Sequence, residues 1–122
     1  MTKWELKSEF DTFQDECKKT AIYPKDTGLL YVTLGLMNEC GEFGGHIKKM
    51  IRDGHIDDKA AAKELGDVAW YLAMCAEELG YELSEITNMV LVKLKDRAER
   101  NVIKGSGDDR WRTDYQTREH QG

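Results

Sequence analysis

The chain has 122 residues, 40% of them hydrophobic and 34% charged, with one proline and a formal charge of −5. That length suits one domain with a modest core, and the acidic balance argues against a nonspecific nucleic-acid binder, which needs a surplus of Lys and Arg on its contacting surface. Apolar runs are only a few residues long and the N-terminus is charged from Lys3, so the expectation is a cytoplasmic protein with neither a membrane span nor a secretory signal.

Thr2 with Glu5 makes a capping-box pattern, and Trp4, Leu6, Phe10, Phe13, Cys17 and Ala21 follow at helical spacing. This predicts a first helix that stops at Pro24, after which "PKDTG" reads as a loop. A second helix is expected from about Leu29 to Arg52, with Leu29, Val32, Leu36, Cys40, Phe43, Ile47 and Ile51 on one stripe, and "RDGHIDD" breaks it. Asp57 or Asp58 can cap a third helix, whose stripe is Ala61, Leu65, Val68, Ala69, Leu72, Cys75, Ala76 and Leu79, with Gly80 in the C-cap position. Ser84 can cap a fourth through about Arg100, carrying Ile86, Val90, Leu94 and Ala98 at i, i+4 spacing.

No segment carries a strand signal, so the expected fold is all-α, a four-helix bundle spanning one domain with a polar tail from about residue 101. Met37, Met50, Trp70 and Met74 lie off the main stripes and would face water in a lone short bundle, which predicts a homodimer or homotetramer. Cys17, Cys40 and Cys75 are odd in number, lack metal-ligand spacing and read as packing thiols.

Two stretches repeat one theme. "NECGEF" holds Glu39 and Glu42, and "KELGDVAW" holds Glu64 and Asp67, each pair three residues apart with a glycine before the second acid. On a helix such pairs share a face. Projected from the stripe of the second helix, Glu39 lies roughly 70° and Glu42 roughly 130° to one side, while on the third helix Glu64 lies roughly 80° and Asp67 roughly 140° to the same side. If the helices pack side by side, four carboxylates can converge at the edge of the shared core.

The plainer alternative is solvated acidic faces, but like charges at i, i+3 repel, and both helices carry such a pair with no cation interposed. Gly41 and Gly66 each cost about 1 kcal/mol against alanine inside a helix, so close approach of backbones at these glycines is expected. Four oxygen donors without cysteine suit a hard cation, Mg²⁺ or Mn²⁺, rather than zinc.

"LGLMNECGEFGGHIKKMIRDG", "KELGDVAWYLAMCAEELGYELSEI" and "KLKDRAERNVIKGSGDDR" together resemble the MazG-like all-α nucleoside triphosphate pyrophosphohydrolases over about residues 20–110. The family pairs ExxE on one helix with ExxD on the next. The resemblance implies magnesium ligation by Glu39, Glu42, Glu64 and Asp67, and hydrolysis of an NTP or dNTP to the monophosphate and pyrophosphate, with Glu42 or Glu39 acting on the attacking water. Asn38 departs from the members that carry Glu there.

Lys93 and Arg97 match the family's KLxxR segment and either hold phosphates or form salt bridges to Glu64 or Asp67. Lys49, after the first motif, and Tyr71, seven residues after Glu64, are further substrate-binding candidates. Surface exposure and core packing are their plainer readings. His46, seven residues after Glu39, reads as an exposed or supporting residue rather than a ligand, since Mg²⁺ prefers oxygen. "GSGDDR" at 105–110 offers a turn whose amides can meet phosphate. The rival from another class is a catalytically silent nucleotide- or metal-binding bundle that keeps the same site.

Overall fold

The computed structural model describes residues 7–55 and 57–100. Among them are four α-helices and no strand: α1 (Glu9–Lys18), α2 (Gly28–Asp53), α3 (Asp58–Leu79) and α4 (Leu83–Glu99), with a single 3-10 turn, Lys25–Thr27, ahead of α2. Residues up to Ser84 form one compact unit and residues from Glu85 a second. None of the described helices is long and apolar enough to cross a membrane.

The helix ends follow local chemistry. Asp57 accepts a hydrogen bond from Ala60 N at 3.1 Å and caps α3, satisfying a donor that the first turn leaves open. Gly54 and Gly80 terminate α2 and α3 with φ of 73° and 80°, a left-handed geometry that glycine adopts without a Cβ penalty.

In the first unit α3 packs along α2 and also takes α1. Val32, Ala73 and Met74 have no exposed surface, and Cys17, Tyr23, Ala61, Ala76 and Leu83 are buried around them. Full burial of a valine or methionine side chain stabilises by about 1.5–3 kcal/mol. Met74, expected to need a partner chain, is buried without one: Met74 and Ala73, not Leu72 or Leu65, are among the buried residues of α3.

The start of the chain also differs from expectation. The capping-box residues Thr2 and Glu5 lie outside the described residues; α1 is capped instead by Ser8, whose hydroxyl accepts from Phe10 N at 3.2 Å. Phe10 and Phe13 are exposed, whereas Asp11 and Gln14 are buried.

Polar residues face inward here because they satisfy another helix. Gln14 Oε1 accepts from Leu83 N at 2.7 Å, and Asp11 accepts from Ser84 N at 2.9 Å and Ser84 Oγ at 2.7 Å. Two otherwise open N–H groups at the beginning of α4 are thus satisfied by residues about seventy positions earlier. Ser84, expected to be the cap, is the donor.

Cys17 is buried and Cys75 half-buried, but Cys40 is exposed, so packing accounts for only two of the three thiols. In α4, Met89, Val90, Leu91, Val92 and Leu94 are exposed. Met37 on α2 is exposed as expected.

Candidate metal centre

The pairing of α2 with α3 brings the two acidic motifs together. Glu39 from α2 and Glu64 and Asp67 from α3 each offer a carboxylate oxygen, and these three oxygens lie within 4.8 Å of one another. Glu39 and Glu64 are half-buried and Asp67 is exposed. Glu42, one turn beyond Glu39, is exposed and outside this group, although its charge is felt at Glu39.

Loss of hydration, a hydrogen bond with Glu64 and the negative charges of Asp67, Glu64 and Glu42 push the Glu39 carboxyl above its ordinary value near 4.5. Crowded carboxylates favour the neutral form because each opposes ionisation of the next. A hard divalent cation would relieve that repulsion, and an all-oxygen donor set fits Mg²⁺ or Mn²⁺. The three residues could hold such an ion through oxygen alone, with no His or Cys among them.

The residues around the group extend along the same helices. Tyr71, one turn beyond Asp67, lies across α2 at Gly35, so closely that a Cβ at Gly35 would run into the Tyr71 ring. Desolvation, then the neighbouring Tyr31, Glu39 and Asp67, raise the Tyr71 phenol above its ordinary range. Trp70 packs edge-on against Tyr71, with ring centroids 4.9 Å apart, and Tyr23 stacks on Tyr31 at 5.3 Å. Tyr23 also meets Trp70 edge-on at 6.5 Å, so the four rings form one row that ends at Tyr71.

On the other side, His46 Nε2 lies 3.2 Å from Glu64 Oε1. His46 and Lys49 also line a cavity of about 160 Å³ with Met50, Asp53, His55 and Asp57. Lys49 is exposed.

Gly35 and the His46 contact with Glu64 were not legible beforehand. For the first the spacing is only a conditional signal: Gly35 precedes Glu39 by one helical turn and Tyr71 follows Asp67 by one, so the two meet only once α2 and α3 take this register. The expected close approach at Gly41 and Gly66 is not found. A Cβ at either would meet nothing within 4 Å, and it is Gly35 and Gly28 that face a neighbouring side chain, Tyr71 and Glu78 respectively. On α4, Lys93 is exposed and Arg97 buried. The "GSGDDR" turn lies outside the described residues.

Helix content, the α2–α3 pairing and an oxygen-only acidic group define an all-α protein with a candidate cation site between two helices. The chain belongs to the MazG nucleotide pyrophosphohydrolase domain family, whose model matches residues 28–102. It is 45% identical to the "Gene 37 protein" of Mycobacterium phage L5 in an alignment that covers 82% of this chain and 97% of that protein. No solved structure matches. Membership of the family points to nucleotide pyrophosphohydrolase chemistry in general.

Proposed function

We propose that the protein is a magnesium-dependent nucleoside triphosphate pyrophosphohydrolase, cleaving an NTP or dNTP between the α and β phosphates to release the monophosphate and pyrophosphate. The observation that carries the reading is the convergence of Glu39, Glu64 and Asp67, drawn from an ExxE and an ExxD motif on paired helices, within 4.8 Å. These three hold the cation, with Mn²⁺ as a substitute for Mg²⁺. Bound there, the ion would neutralise phosphate oxygens and polarise the reacting phosphorus.

Glu42 adds its charge from the next turn. Exposed and outside the tight group, it is a carboxylate not consumed in ligation, which supports a role in orienting or deprotonating the attacking water, with Glu39 the other candidate. Tyr71, held against Gly35 beside the group, presents an aromatic wall to the nucleoside. Lys49, which lines the cavity with His46, is a candidate for the phosphates, and the family's KLxxR segment offers Lys93 and Arg97 for the same role. The apolar side chains exposed on α4 support self-association as a homodimer or homotetramer.

The test is pyrophosphate release across a panel of NTPs and dNTPs, with Mg²⁺ and with EDTA. Turnover of at least one nucleotide is expected with Mg²⁺ alone, lost by at least about a hundredfold in Glu64→Gln and Asp67→Asn, as befits removal of charge aimed at the transition state. Nucleotide and Mg²⁺ binding without release from any member of the panel would establish the silent binding module instead.

A further inference from the structure

Glu64 is held from outside the acidic group as well as within it. His46 reaches from α2 to α3, placing Nε2 at 3.2 Å from Glu64 Oε1, with the two side chains 32% and 20% exposed. An ionised carboxylate oxygen can only accept, so Nε2 carries the proton and the bond runs from Nε2–H to Oε1. His46 offers no ligand atom to the group of Glu39, Glu64 and Asp67. It touches a prospective ligand without being one.

The placement has a physical use. A glutamate side chain must give up its rotamer freedom before an oxygen can serve a cation, and the charges of Glu39 and Asp67 drive Glu64 away from the position it has to occupy. A donor from the facing helix opposes both effects without adding a ligand. Outer hydrogen bonds of this kind set the orientation of metal-binding side chains and account for much of a site's affinity.

We propose that His46 is a positioning residue of the acidic group, holding Glu64 through Nε2–H···Oε1 so that the carboxylate is already in place when a divalent cation arrives. The inference rests on the reading of Glu39, Glu64 and Asp67 as a cation site, and it assigns to His46 a role in cation affinity, separate from any contact with nucleotide.

The experiment titrates Mn²⁺ into the nucleotide-free full chain, followed by electron paramagnetic resonance of the free ion, for the wild type, His46→Ala, His46→Asn and His46→Gln, beside metal-free thermal melts. Loss of the donor in His46→Ala should weaken Mn²⁺ binding by about 10–100-fold. His46→Gln, whose amide N–H can stand in for Nε2–H, should recover affinity to within about threefold of the wild type. His46→Asn, too short to span the gap, should behave as the alanine variant and replaces it if His46→Ala does not fold.

Affinity within about twofold of wild type in the donor-less variants overturns the proposal, as does a glutamine variant no better than asparagine. A lowered melting temperature with undiminished Mn²⁺ affinity overturns it too, leaving His46 as scaffold. Failure of the wild type to bind Mn²⁺ overturns the cation site itself, and so separates that failure from the failure of His46 alone.

Discussion

Alanine at Gly35 and alanine at Gly41 make the same chemical change six residues apart on α2. In each, glycine gives way to the best helix former, which favours the variant by about 1 kcal/mol. At Gly41 nothing lies within 4 Å of the added methyl, so that gain stands alone. At Gly35 the methyl enters the Tyr71 ring. Tyr71 is half-buried and braced edge-on by Trp70, so the ring cannot swing aside freely, and overpacking of this kind costs about 1–3 kcal/mol.

Because the propensity gain is common to both, the difference between the two variants isolates the collision. An unfolding entropy of about 2.1 cal/mol/K per residue means that 1 kcal/mol moves the midpoint of a chain this size by roughly 4 °C. Gly41→Ala should therefore melt roughly 4 °C above the wild type, and Gly35→Ala roughly 4–12 °C below Gly41→Ala. Differential scanning calorimetry of the three metal-free proteins at one concentration measures the gap. Melting temperatures for the two variants within about 2 °C of each other, or Gly35→Ala as the more stable, would refute the packing of Tyr71 against Gly35.

Asp11→Ala should cost about 1–3 kcal/mol, because Ser84 N and Oγ lose their acceptor in a part-buried setting, and chemical denaturation will read the loss. Burial on its own would raise the Asp11 carboxyl, but hydrogen bonds from the Ser84 hydroxyl and backbone outweigh it and hold the group below its ordinary value near 3.8. Its contribution is thus present above about pH 3.8 and is lost as pH falls through the lowered value, so the Asp11→Ala and wild-type stabilities should converge in acid. Glu39 has the opposite sign: with its pKa raised above 4.5, the folded state holds the extra proton, so metal-free stability should fall as pH rises from 4.5 through the raised value. Thermal melts with millimolar Mg²⁺ should remove that decline and raise the melting temperature, and curves that do not respond to Mg²⁺ would count against the cation site. If Arg97 serves phosphate, Arg97→Lys keeps charge but loses the planar fork, and steady-state kinetics should show kcat/KM down about tenfold or more with nucleotide-free Mn²⁺ affinity unchanged.

The helices themselves could be read from the chain because their signals are local. Asp57 caps α3 and Gly80 ends it as their positions in sequence imply, since a cap needs only the residues one turn away. The two acidic pairs were legible for the same reason: a spacing of three on a helix determines a shared face whatever the helix packs against. Their convergence needed one further condition, that α2 and α3 lie side by side, and for Glu39, Glu64 and Asp67 the structure meets it.

Which face each helix turns inward was decided only in the fold. Phe10 and Phe13 are outside while Asp11 and Gln14 are inside, because the open N–H groups of Leu83 and Ser84 draw polar acceptors toward them across more than sixty residues. A hydrophobic stripe reports the average preference of its side chains, whereas a buried donor demands a particular partner. The same limit hid the contact of His46 with Glu64 and of Tyr71 with Gly35: each depends on the register between two helices, which is determined by packing along their whole length and is written in no short stretch of either.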